Sequence, residues 1–169
     1  MIKMTTELFE KFSKKQEELD SMIREKFGIN INEWKRAYQR NHEIALKVEL
    51  AEFVNECHDV WKYWKQKSVV PERILDEAVD VIHFLHLILN KSDESNTELL
   101  NTYIHDLHEE NVTLSGMLDD LLDVNTEYLY YTYAQLLLIL ERYAFTLDDI
   151  EQAYDRKNAE NHARQNRNY

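Results

Sequence analysis

Two glycines, Gly28 and Gly116, and one proline, Pro71, are all the glycine and proline in this 169-residue chain. A sheet protein of this length needs such residues at short intervals, because tight turns demand positive φ or a fixed φ. The chain is therefore confined to helices with few breaks, and the expected fold class is all-α, a helical bundle. Its length suits one domain spanning 1–169, long enough for a substantial core.

Hydrophobic periodicity places the helices. The first is expected over Thr6–Phe27, with Leu8, Phe9, Phe12, Leu19, Met22 and Ile23 facing inward and Gly28 stopping it. A short amphipathic segment follows over Asn32–Arg40, with Asn32 as its N-cap. A third helix is expected over Ile44–Trp64, and a fourth over Pro71–Leu89, with Pro71 suited to its first turn. Lys91–Thr97 reads as a loop, and Glu98–Thr126 as a less regular helical stretch interrupted by Gly116. Tyr128–Phe145 is apolar enough to be core or interface. Thr146 is the expected N-cap of a last helix from about Leu147, which gives way to a polar tail over Asn158–Tyr169.

Two acidic pairs stand out from this pattern. Glu49/Glu52 and Glu77/Asp80 are each spaced by three, which puts both members on one helical face. In the first helix Leu46, Leu50, Val54, Cys57 and Trp61 form an apolar stripe that Glu49, Glu52 and Glu56 flank. In the second, Ile74, Ala78, Ile82, Leu85 and Leu89 form the stripe, flanked by Glu77 and Asp80. Antiparallel packing through the two stripes brings the acids together. Acid pairs at this spacing are also common on solvated faces; repetition in the same phase favours a site for a hard divalent cation such as Mg²⁺.

The formal charge of −12 disfavours general binding to a nucleic-acid polymer, which it would repel. One cysteine, Cys57, excludes an internal disulfide and sits on an apolar stripe, where a core thiol is inert. No apolar run reaches membrane-spanning length, and the N-terminus lacks a secretory signal. The expected setting is soluble and cytoplasmic, without a membrane partner.

The stretches Glu49-Leu-Ala-Glu52-Phe-Val-Asn55-Glu56, Trp61-Lys62-Tyr63-Trp64 and Glu77-Ala-Val-Asp80-Val-Ile-His83-Phe84-Leu85 resemble the dimeric all-α dUTPases of the MazG-like pyrophosphohydrolase superfamily. The tail from Tyr154 to Tyr169, with Lys157, Asn158, Asn161 and Arg164, resembles that family's C-terminal phosphate-binding motif. It departs from the motif at Asn168, where the family usually has glycine. Gln16-Glu-Glu-Leu19-Asp20 followed by Ile23 is similar as well.

The resemblance implies a MazG-like helical bundle acting as a homodimer. It further implies a variable insertion at about 91–126 and a C-terminal phosphate-binding segment at about 154–169. The implied activity is Mg²⁺-dependent hydrolysis of dUTP, and of dUDP, to dUMP, with two or more Mg²⁺ per site. Glu49, Glu52, Glu77 and Asp80 are the implied ligands, with Glu49 also orienting or deprotonating the attacking water. Glu56 is either a further ligand, an outer acceptor or a solvated acid. Lys157, Arg164, Asn161 and Tyr154 are implied at the phosphates, and Gln16, Trp61, His83, Phe84 and Asn158 at the base and sugar. Each has an ordinary structural alternative: a helix-end cation, a core aromatic, a buried histidine. Two other functions fit the same sequence, a sister enzyme acting on dCTP or mixed nucleotides and a non-catalytic helical interaction module.

Overall fold

The computed structural model describes residues 1–92 and 95–167; Asp93 and Glu94 in the predicted loop, and Asn168 and Tyr169 of the tail motif, lie outside them. Among the described residues there are nine α-helices and one 3-10 turn, with no strand. They are α1 Thr6–Phe27, α2 Ile31–Arg36, α3 Gln39–Glu56, α4 His58–Trp61, α5 Pro71–Leu89, α6 Thr97–Glu109, α7 Leu114–Leu122, α8 Leu129–Arg142 and α9 Leu147–Asn166. The 3-10 turn, Thr126–Tyr128, leads into α8.

Local chemistry sets the boundaries. Thr5 caps α1, its side chain accepting from the Leu8 N–H at 3.1 Å. Gly28 ends α1 at φ 65°, a left-handed conformation that suits a residue without Cβ, and the Ile29 N–H closes back on the Arg24 carbonyl. Pro71 opens α5, where its missing N–H costs no helical hydrogen bond. Thr146 and Asp149 cap α9 reciprocally.

Several boundaries differ from the sequence expectation. α2 is capped by Asn30, not Asn32, because Asn30 and Glu33 exchange side-chain and backbone hydrogen bonds in a capping box. α3 begins at Gln39 and ends at Glu56. At Cys57 ψ turns to 35°, and α4 departs from the α3 axis. Trp61 thereby leaves the predicted stripe: Leu46, Leu50, Val54 and Cys57 are buried, while Trp61 is 39% exposed. The stretch expected to be irregular forms two capped helices, α6 and α7, which bury Leu100, Ile104, Leu107, Met117, Leu118 and Leu121 against α8 and α3. The last helix continues through the expected polar tail to Asn166.

α5 is the central element, packing against α3, α9, α1 and α8. Ile74, Ala78, Ile82 and Leu85 of its stripe are fully buried. α8 is buried along Thr132–Leu140, so its apolar face is consumed within the chain. None of these helices is long and apolar enough to cross a membrane.

This packing makes Ile82 a test of the core. Ile82→Ala is expected to lower unfolding free energy by about 2–5 kcal/mol, read as a drop in the urea midpoint with unchanged slope.

Candidate active site

Packing of α3 on α5 gathers the acids. One carboxylate oxygen from each of Glu49, Glu52 and Glu77 lies within 4.8 Å of the others. The fourth acid, Asp80, one turn beyond Glu77, meets the Lys157 ammonium of α9 at 2.7 Å. Three acids therefore converge, while the fourth holds a cation from another helix. Glu56 stands apart in an ion pair with Arg73 at 2.7 Å.

The electrostatics follow from crowding and partial burial. Burial, Asp80 and Glu52 together push the Glu49 carboxyl up to about 7, and Glu49 and Glu52 share a hydrogen bond. Burial and Asp80 raise Glu77 as well. Asp80 is raised by burial in spite of Lys157. Burial would lower Lys157, but its contact with Asp80 outweighs that and raises it. The cluster has more negative charge than Lys157 can compensate. Its donors are hard carboxylate oxygens from two facing helices, the set that suits Mg²⁺. Glu49, Glu52 and Glu77 could hold such an ion, with Asp80 at the edge.

Beside the acids lies a cleft of about 270 Å³. Three helices wall it with the same spacing. α1 contributes Gln16, Leu19, Asp20 and Ile23; α5 contributes Asp80, His83, Phe84 and Leu87; α9 contributes Asn161, Arg164 and Gln165. In each set the residues fall at i, i+3, i+4 and, on α1 and α5, i+7, a single helical face. Glu49 of α3 completes the wall next to the acid cluster.

The cleft floor is polar and wired. The Gln16 amide donates to Asp20 Oδ1 at 2.8 Å, and the Gln16 carbonyl oxygen meets His83 Nδ1 at 2.7 Å. Burial, partly offset by the Gln16 hydrogen bond, pushes Asp20 up to about 7. Burial lowers His83 to about 3, so its ring is neutral. Tyr154 supports that ring from below, stacked at 4.0 Å between centroids, and donates its hydroxyl to the Phe12 carbonyl at 3.0 Å. Among the described residues, three buried side-chain polar atoms have no partner: Asp20 Oδ2, His83 Nε2 and Gln165 Oε1. All three belong to residues lining this cleft. Buried polar groups are normally satisfied, so three such atoms on one cleft leave hydrogen-bonding capacity there for water or a polar ligand.

The structure thus brings together Glu49, Glu52 and Glu77 at the acid cluster, with Asp80 and Lys157 beside it. Gln16, His83, Phe84, Asn161 and Arg164 line the cleft. Arg164 also pairs with Glu160 at 2.6 Å. Tyr154 and Asn158 lie behind the cleft wall. Tyr154 is fully buried with its hydroxyl engaged, and Asn158 is buried and tied to the Lys15 carbonyl at 3.5 Å. Trp61 lies elsewhere, its indole N–H donating to the Val54 carbonyl at 2.9 Å beside α7. Asp20 and Gln165 fall within the stretches that resemble the family, but the sequence assigns neither a role at the site. The available signal was Asp20's spacing: Phe12, Gln16 and Asp20 follow at i, i+4 and i+8, placing two polar residues on the inner face of α1.

The described residues thus form an all-helical bundle in which three convergent carboxylates lie beside a polar cleft. The model of the dUTPase family matches residues 8–169, and the chain belongs to that family of all-helical dUTPases. It is accordingly a dUTP diphosphatase, a hydrolase acting on acid anhydrides. Comparison with curated proteins and with solved structures found no match.

The raised Glu49 carboxyl has a stability consequence. Its folded value of about 7 exceeds the ordinary 4.5, so the folded state binds the proton more tightly. Its contribution to stability is then fully present below the unfolded value and is lost as pH rises through the folded one. Asp20, raised to about 7, titrates in the same sense, and the lowered His83 and His86 in the opposite one. The Glu49 contribution is therefore read in cation-free buffer as the difference in urea unfolding free energy between wild type and Glu49→Gln, which is expected to decline from about pH 5 to about pH 8.

Proposed function

We propose that the protein is a Mg²⁺-dependent enzyme that hydrolyses dUTP, and dUDP, to dUMP in the cytoplasm, limiting the dUTP pool and supplying dUMP. The observation that carries this reading is the convergence of Glu49, Glu52 and Glu77 next to a cleft with unpartnered polar atoms, in a chain of the dUTPase family.

In this reading Glu49, Glu52, Glu77 and Asp80 hold Mg²⁺, two or more ions per site. When bound, the metal supplies counter-charge for phosphate oxygens and lowers the pKa of water. Glu49, at the junction of acid cluster and cleft, orients the attacking water and accepts its proton. Lys157 and Arg164 bind phosphate oxygens. Lys157 is already held at 2.7 Å from Asp80, and exchanging that carboxylate for a phosphate oxygen keeps the ammonium paired. Gln16, His83 and Phe84 take the base, the first two by hydrogen bonds and Phe84 by stacking against it and crowding the sugar. Tyr154 acts by holding the His83 ring in place. The C-terminal helix from Tyr154 onward forms the phosphate side of the cleft, within one domain.

The enzyme acts as a homodimer in this reading. With α8 buried inside the chain, the exposed apolar face of α3 is our candidate for the partner's contact. There Ile44 and Val48, spaced by four, are 56% and 50% exposed. Sedimentation analysis is expected to show a dimer, with Val48→Asp shifting it toward monomer.

Product analysis over dUTP, dUDP, dCTP, dTTP and UTP, with Mg²⁺ and with chelator, tests the activity. Conversion of dUTP and dUDP to dUMP that requires Mg²⁺ is the expected result. Glu49→Gln should lower kcat by about 10²–10⁴-fold without loss of fold. Preference for dCTP would transfer the reading to a sister enzyme of the superfamily.

A further inference from the structure

We infer that Asp20 is a specificity-positioning residue: through Gln16 it orients His83 so that His83 Nε2 faces the cleft as a hydrogen-bond acceptor, which selects pyrimidines bearing a ring N3–H. The inference rests on the base-reading role proposed above for Gln16 and His83 and extends it to a residue that need not touch the base.

The relay runs through three side chains that are each at least nine-tenths buried: Asp20 is 1%, Gln16 3% and His83 4% exposed. Asp20 Oδ1 accepts from Gln16 Nε2 at 2.8 Å. That fixes which end of the amide points away from Asp20: the Gln16 carbonyl oxygen, 2.7 Å from His83 Nδ1. A carbonyl oxygen is an acceptor only, so His83 Nδ1 must carry the proton and donate. A neutral imidazole has one N–H, which leaves Nε2 with a lone pair. That atom has no partner in the protein and belongs to a residue of the cleft wall.

Above the raised Asp20 value of about 7, where the carboxylate is ionised, the reverse Gln16 orientation would set its carbonyl oxygen against an Asp20 oxygen, two acceptors in contact in a buried site, which is costly. Without the acceptor at position 20, Gln16 is free to turn. Its amide would then donate to His83 Nδ1 and move the imidazole proton to Nε2. The reading edge would invert. An acceptor at Nε2 pairs with the N3–H of uracil or thymine and opposes the N3 lone pair of cytosine, whereas a donor does the opposite. The relay thus separates bases by imino hydrogen and leaves uracil and thymine alike in this respect.

The test combines nitrogen NMR with binding of dUMP and dCMP to the full-length protein and its variants. At about pH 8.5, where Asp20 is ionised, long-range ¹H–¹⁵N correlation of the wild type is expected to show His83 protonated at Nδ1, and calorimetry a preference for dUMP over dCMP. Asp20→Asn can present either its oxygen or its NH₂ to Gln16, so it no longer fixes the amide and should weaken both properties, by less than the loss of every acceptor does. Asp20→Leu, similar in size but without an acceptor, should lower the preference by roughly tenfold or more, the scale of one mismatched buried hydrogen bond. It should also shift the His83 proton toward Nε2. A wild-type His83 protonated at Nε2 overturns the relay even if every variant fails to fold. An unchanged preference and tautomer in Asp20→Leu overturns it as well, while leaving the base pocket standing. No dUMP preference in the wild type, with His83 protonated at Nδ1, overturns the base-reading role itself, and the relay's selectivity with it.

Discussion

The functional end of this protein depends on packing two apolar helical stripes whose edges carry carboxylates. Leu46, Leu50, Ile74, Ala78 and Ile82 are fully buried in α3 and α5, and the burial of this surface stabilises the helix pair. The same contact forces Glu49, Glu52 and Glu77 within 4.8 Å of one another, an arrangement that carboxylates in water would avoid. The raised pKa values record the opposition between the two effects. Hydrophobic packing holds the acids where only protons or cations relieve them, and Lys157 relieves one of the four.

α5 joins this tension to the cleft. Glu77 and Asp80 lie toward its N-terminal half, and His83, Phe84 and Leu87 follow on the cleft-facing side. Deeper in the core the next turn carries His86, which hydrogen-bonds Ser13 at 2.9 Å and Tyr133 at 3.0 Å. Both histidines are buried and held far below the ordinary histidine value, mainly by desolvation. They differ in satisfaction. Both ring nitrogens of His86 have partners, whereas Nε2 of His83 has none. A satisfied buried imidazole contributes to structure; an unsatisfied one at a cleft wall is available to a ligand.

The helices were legible where local chemistry decides them. Gly28 ends α1 and Pro71 begins α5 because φ preferences act within one residue, and Thr146 caps α9 for a similarly local reason. The expectation failed where boundaries depend on competition between neighbours. Asn30 displaces Asn32 as a cap because Glu33 can reciprocate only with Asn30. Trp61 continues the periodic stripe on paper, yet the backbone turns at Cys57 and carries it to the surface beside α7. The stretch from Glu98 to Thr126 reads as irregular because its pattern is weak, acidic and interrupted by Gly116; packing against α8 and α3 folds it into α6 and α7.

At the site, the acid spacing and the two polar faces were written in the sequence, since residues at i, i+3 and i+4 share a side of any helix. So were the helical class, the family resemblance and most residues of the cleft. Tertiary packing alone decided that Asp80 turns to Lys157 while three other acids converge, because that depends on where α9 crosses α5. It also decided that Tyr154 and Asn158 lie behind the wall and that Asp20, Gln16 and His83 form one hydrogen-bonded chain. Contacts between residues 67 positions apart, as between Gln16 and His83, are set by how helices cross, and helical periodicity carries no record of that.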